Sequence, residues 1–129
     1  MAIRSETDVI TTANVEALVD AVLGAKARGW FGAVASADEV AQKKPAPDLY
    51  RRILGTLRVP AEACVAIEDS ANGVLAAKAA GLYTIATPSR WTATQDFSQA
   101  DLVQTSLDEP PLGLARIAAL HAAHATRAA

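Results

Sequence analysis

Two short apolar runs, Cys64-Val65-Ala66-Ile67 and Tyr83-Thr84-Ile85-Ala86-Thr87, lie on either side of an alanine-rich stretch that ends Lys78-Ala79-Ala80-Gly81. This arrangement most constrains the fold. Runs of this length without polar alternation read as buried strands, the second closed by Pro88. Ser70 stands where a helix N-cap is wanted, and Gly81 where a chain leaves a helix. A strand, a helix and a second strand in this order form a parallel unit, because parallel strands need a long crossover. The first run ends abruptly in Glu68-Asp69, and parallel sheets place their functional residues beyond such carboxyl ends.

The same rhythm extends in both directions. Val15, Leu18, Val19, Val22 and Leu23 recur at helical spacing and predict a helix from about Thr12 to Arg28, with Lys26, Arg28 and Gly29 as its stop. Phe31 to Ala35 reads as a buried strand. Pro45 and Pro47 stiffen a loop, and Leu49, Ile53, Leu54 and Leu57 mark the helix after it. Leu102-Val103 is a short edge strand. From about Leu112 the chain is helical, with Leu114, Ile117 and Leu120 on one face. The expected fold class is α/β, a mostly parallel sheet with flanking helices in one domain over 1–129, of which about 112–129 is a C-terminal helix.

Composition excludes several functions. The chain is 51% hydrophobic and 20% charged, which is globular rather than disordered. A net charge of -2 with scattered acids and bases gives no footprint for nucleic acid. Cys64 is the single cysteine, so no intrachain disulfide or cysteine-based zinc site is expected, and a reducing compartment fits. No apolar run approaches the ~20 residues of a membrane span, and Met1 to Glu6 lacks the apolar region of a signal peptide. The cytoplasm is the expected location.

Glu68-Asp69 is the first candidate for chemistry. Adjacent carboxylates after a buried strand are costly to desolvate unless a cation or hydrogen bonds satisfy them, and hard oxygen ligands suit Mg²⁺. The competing reading is that Asp69 caps the next helix while Glu68 is solvated. Lys44 is the second candidate. Held before Pro45-Ala46-Pro47, it is placed to neutralise a phosphoryl group or a nearby carboxylate, and the competing reading is a surface lysine beside Lys43. His121 and His124 fit an exposed helix face better than half a metal site. Cys64 reads as core, and Trp30 and Trp91 as packing or loop-anchoring residues, with Trp91 alternatively lining a substrate entrance. No Gly-x-Gly-x-x-Gly or Gly-Lys-Ser/Thr fingerprint occurs.

Taken together, Lys43-Lys44-Pro45-Ala46-Pro47-Asp48-Leu49-Tyr50 and Val65-Ala66-Ile67-Glu68-Asp69-Ser70-Ala71-Asn72-Gly73 resemble the third and fourth motifs of the haloacid dehalogenase (HAD) superfamily. The likeness is to its β-phosphoglucomutase-like and CbbY-like sugar-phosphate phosphatases. Ala13-Asn14-Val15-Glu16-Ala17-Leu18, Ala79-Ala80-Gly81, Thr87-Pro88-Ser89-Arg90-Trp91, Gln95-Asp96-Phe97-Ser98 and Ala100-Asp101-Leu102-Val103 extend it, roughly from Asn14 to Leu107. The resemblance implies that Lys44 contacts the phosphoryl group and a nucleophilic aspartate. It implies that Asp69 is a Mg²⁺ ligand, that Glu68 contributes directly or through water, and that Ser70 and Asn72 support the loop. The family's phosphate-binding hydroxyl falls on Ser5 by position, with Thr7, Thr11 and Thr12 as alternatives.

One departure matters more than the matches. Family members begin with a strand ending in Asp-x-Asp, the first aspartate attacking phosphorus, and no Asp-x-Asp occurs in this sequence. The family's helical cap is missing as well. The resemblance therefore implies a Rossmannoid sheet lacking its first, central strand, between the Ile67-bearing and Ile3-bearing strands. Such an opening invites self-association, a complementing N-terminal segment, or collapse into direct pairing. The expected function is that of a HAD phosphohydrolase or phosphomutase core fragment. In the intact enzyme it would act on small sugar phosphates through an aspartyl phosphate with Mg²⁺, and alone it would be inactive. The alternative is a non-catalytic truncated product or an interaction module using an exposed sheet edge. A phospho-acceptor receiver is set aside, because it needs its acids before its lysine.

Overall fold

Helix-length connections carry this chain between strands that run the same way, and one two-residue connection turns it back. The computed structural model describes residues 2–4, 7–11, 20–106 and 112–128. Its strands are β1 (Ala2–Arg4), β2 (Thr7–Thr11), β3 (Phe31–Ala35), β4 (Val65–Glu68), β5 (Tyr83–Ala86) and β6 (Leu102–Val103). They form one sheet in the order β3-β2-β1-β4-β5-β6. Pairing is parallel between β2 and β3, β4 and β5, and β5 and β6, and antiparallel on both sides of β1. With β1 reversed against both neighbours, β2 and β4 point the same way. The carboxyl ends of β2, β3, β4, β5 and β6 therefore share one edge. The α/β class with flanking helices is as expected.

Of the three routes expected at the opening between the Ile67-bearing and Ile3-bearing strands, direct pairing is the one the structure takes. Ala2 pairs with Ala66 and Ile3 with Val65, so β1 itself occupies the place beside β4. The reason is backbone accounting. Facing N–H and C=O groups on β4 and β2 need partners, and a strand of either direction supplies them. Only two residues separate Arg4 from Thr7, which permits an antiparallel neighbour and no other. The edge argument for self-association at this point falls with it.

Helices α1 (Asp48–Leu57), α2 (Ala71–Ala79) and α3 (Leu114–Ala128) flank the sheet. All four residues of β4 and all four of β5 are buried, which is why neither run alternates. On one face Ala66 packs with Leu49, Tyr50 and Ile53 of α1 and Ala76 and Ala77 of α2. The alanines let α2 lie close to the sheet. On the other face Val65, Ile67, Tyr83 and Ile85 pack with Leu112 and Ile117 beside α3.

Several boundaries differ from expectation. The helix predicted to run to Arg28 ends at residue 23, because Gly24 takes a left-handed φ of 83° and 25–30 continues as a 3-10 helix. Its expected start lies outside the described residues. Leu114 is 64% exposed, and Leu112, just before the helix, fills the apolar place instead. His121 and His124 are not on a free face. Both stack edge-on against Tyr83, at centroid distances of 5.9 and 4.9 Å. Burial, assisted by the Asp101 carboxylate, pushes the Tyr83 phenol above its usual range. Cys64 is buried as expected, whereas Trp30 and Trp91 are both exposed.

One helix end yields a direct prediction. Arg58 closes α1 with φ 55°, a conformation that costs an ordinary side chain about 1 kcal/mol. Arg58→Gly is expected to raise stability by roughly 0.5–1 kcal/mol, net of glycine's extra freedom in the unfolded chain. A urea midpoint that falls instead would contradict the assignment of Arg58 as the left-handed cap.

Candidate active site

Lys44 is delivered by the loop between β3 and α1. Glu39 fastens this loop twice: its Oε1 accepts from the Ser36 N–H at 3.0 Å, and its Oε2 from Arg52 Nη2 at 2.8 Å and Nε at 3.1 Å. The Ser36 N–H first, and the Arg52 guanidinium next, hold the Glu39 carboxyl below its usual range. The Lys44-Pro45 peptide is cis, and Ala46 N–H returns to the Lys43 carbonyl at 3.0 Å. Pro47 then caps α1, whose first turn sets Tyr50 at the end of the same loop.

Glu68, at the carboxyl end of β4, is 5% exposed. Its Oε1 accepts from both the Lys44 ammonium and the Tyr50 hydroxyl. The ammonium also lies 5.3 Å from the Tyr50 ring centroid. A buried carboxylate is expensive unless paired and hydrogen-bonded, and here one oxygen receives both. Gly73 in α2 closes the other side: a Cβ there would stand 1.9 Å from Glu68 Oε2. The helix can pass this close only because the position is glycine.

Lys44 thus rests on Glu68, a contact that the motif resemblance, which pairs the lysine with a phosphoryl group and a nucleophilic aspartate, did not name. Asp69 is exposed beside them, with no hydrogen bond or ion pair to its carboxylate among the described residues. Ser70 is the N-cap of α2, its Oγ accepting the Gly73 N–H at 3.2 Å, and Asn72 is exposed in the first turn. Ser5 lies outside the described residues, as does Thr12. Of the alternatives, Thr7 opens β2 at the far edge and Thr11 ends it at the edge that carries Glu68. Tyr50, Gly73 and Gln95 stand in the runs that carry the resemblance, but no role was read for them from the sequence. Gln95 Oε1 accepts the Ala71 N–H at 2.8 Å, a second answer to the open N–H groups of α2.

The fit to Mg²⁺ follows from these contacts. Among the described residues, no group of three His, Cys, Asp or Glu side chains is placed to hold a metal ion. Glu68 is engaged by Lys44 and Tyr50, which leaves Asp69 as the available carboxylate. One carboxylate together with phosphate and water is a known way to hold Mg²⁺. The donor set therefore fits an ion bound by Asp69 in company with a phosphate, and not a closed protein cage. We expect weak binding in calorimetry, lost in Asp69→Ala and little changed in Glu68→Gln. Indistinguishable titrations for the parent and Asp69→Ala would remove Asp69 from this role.

Known proteins are similar to this chain in sequence and in fold. A family model for haloacid dehalogenase-like hydrolases matches residues 8–81. Protein CbbY of Rhodobacter capsulatus is 52% identical over 91 residues, covering 70% of this chain and 40% of that protein. The plasmid-encoded CbbY of Cupriavidus necator is 48% identical over 100 residues, or 78% of this chain and 39% of its own. CbbY from Rhodobacter sphaeroides, solved in complex with phosphate, is 48% identical with a TM-score of 0.74, covering 80% of this chain and 45% of that one. A variant of that protein has been solved with xylulose 1,5-bisphosphate. This chain spans about 40% of the length of the curated relatives named here. With more than half of its residues inside the family match and the lysine–carboxylate pair at the sheet edge, this chain belongs to the haloacid dehalogenase-like hydrolases.

Proposed function

We propose that this chain supplies the lysine-and-carboxylate half of a phosphohydrolase or phosphomutase site for small sugar phosphates. The nucleophilic aspartate that forms the aspartyl phosphate is not among these 129 residues. The observation that carries the reading is the part-buried Lys44 set on the buried Glu68 and Tyr50 at the carboxyl edge of the parallel strands. Lys44 holds a fixed positive charge where a phosphoryl group would stand, and fixed charge is worth most in a site already partly closed to water. Glu68 and Tyr50 keep the ammonium in place between turnovers. In this reading Thr11, whose backbone ends β2 at the same edge, would supply the hydroxyl to the phosphate, with Ser5 as the alternative. Mg²⁺ on Asp69 would add electrophilic charge to the phosphoryl oxygens when bound. A pentulose bisphosphate is the substrate suggested by the R. sphaeroides complex.

The chain alone is expected to release no phosphate above buffer from an aryl phosphate. A fusion tests the rest. Residues 7–106 replace the matching part of R. sphaeroides CbbY, and phosphate release from xylulose 1,5-bisphosphate is followed. We expect turnover, reduced by roughly 10²–10³-fold in Lys44→Ala. A folded but inert fusion, or isolated-chain turnover that Lys44→Ala abolishes, would refute the proposal.

A further inference from the structure

The loop between β5 and β6 displays an unusual pair. Trp91 is 77% exposed, and the Arg90 guanidinium carbon sits 4.3 Å from its ring centroid. The loop is pinned from within. Ser89 N–H donates to Thr92 Oγ1 at 2.9 Å, Trp91 N–H to Ser89 Oγ at 3.2 Å, and Gln95 N–H to the Thr92 carbonyl at 2.9 Å. It is also fastened to the site at both ends. Thr87 N–H donates to the Glu68 carbonyl at 2.8 Å, and Gln95 holds Ala71 N–H just past Asp69 and Ser70. The pair therefore rides on a stiff loop that spans the edge bearing Asp69.

Nothing in packing accounts for it. Trp91 buries little, and no ion pair to Arg90 occurs among the described residues. A guanidinium lying on an indole is held in orientation while its in-plane N–H donors stay free. Two such donors match two oxygens of a phosphate. Lys44, also at this edge, is the cation proposed for the phosphate that is attacked, so Arg90 is left for another anion.

We infer that Arg90, supported by Trp91, receives a second phosphate of the substrate, remote from the one attacked, and so selects sugar bisphosphates over monophosphates. This rests on the proposed phosphohydrolase reading. The test is titration of the full chain with xylulose 1,5-bisphosphate and xylulose 5-phosphate, with Mg²⁺ present, read by calorimetry and tryptophan fluorescence. The bisphosphate is expected to bind about tenfold tighter, the worth of one charge-assisted contact. Arg90→Ala should erase that preference and leave monophosphate affinity unchanged, while Arg90→Lys, which keeps the charge and loses the fork, restores only part of it. Lys44→Ala should weaken both esters alike. Equal binding of the two esters, or a preference that survives Arg90→Ala, overturns this inference and leaves the phosphate site standing. Failure to bind either ester overturns both.

Discussion

Gly73→Ala is expected to cost about 3 kcal/mol or more, a large share of the 5–15 kcal/mol that holds a domain folded. The new methyl would lie 1.9 Å from Glu68 Oε2 and 2.3 Å from its Cδ, far inside van der Waals contact. A flexible side chain would usually swing aside. Glu68 cannot do so cheaply, because it is 5% exposed and its other oxygen is held by Lys44 and Tyr50. Relief must come from lifting α2 off the sheet or expelling the carboxylate. Urea denaturation measures the loss, and the double variant Glu68→Ala/Gly73→Ala gives its cause. Shortening the carboxylate removes the obstacle, so the double should be at least ~1 kcal/mol better than the sum of the singles. Strict additivity would mean that the helix, and not the carboxylate, takes up the strain.

Lys44→Met should be nearly as damaging, for an electrostatic reason. It leaves Glu68 buried with the Tyr50 hydroxyl but without its cation, and an orphaned buried charge costs roughly 3–5 kcal/mol. Tyr50→Phe removes only the neutral donor and should cost about 1–2 kcal/mol. Replacing both charges in Lys44→Met/Glu68→Gln should recover most of the loss, since a matched uncharged pair has no unpaid desolvation. Thermal melts of the four proteins decide it. Should Lys44→Met melt with the parent, the ion pair contributes nothing to the fold, and Lys44 is kept for chemistry alone.

How much of this was legible in the sequence depends on the kind of signal. β4 and β5 could be placed within a residue because strands buried on both faces leave uninterrupted apolar runs. α1 could be placed because Leu49 and Ile53 repeat at helical spacing. Lys44 and Glu68 were legible as motif residues, but not their contact, since 24 residues of intervening chain carry no periodicity that would show it. Tyr50 was hidden by its own helix: at a buried position in an apolar face, a phenol counts as core, and its hydroxyl partner cannot be read from pattern. Gly73 was hidden for the opposite reason. A glycine inside a helix reads as a weak link until the carboxylate beneath it is seen. The antiparallel β1 escaped because Ile3 fits a strand in either direction, and the shortness of 5–6 gains meaning only once both neighbours are known.

The reversed β1 also has a kinetic and thermodynamic bearing on any test of the proposed phosphohydrolase reading that adds an aspartate-bearing strand. It is a tethered competitor for the position beside β4. A tether as short as the one between Arg4 and Thr7 gives an effective concentration of roughly millimolar or above. A free peptide carrying an aspartate-bearing strand would have to outbid that concentration before it could lie parallel to β4. It would succeed far more readily once residues 2–4 are removed or barred from pairing. A strand fused in the same chain meets the competitor on equal terms, so covalent linkage, more than any refinement of the peptide's own contacts, governs whether such a strand can take the place beside β4.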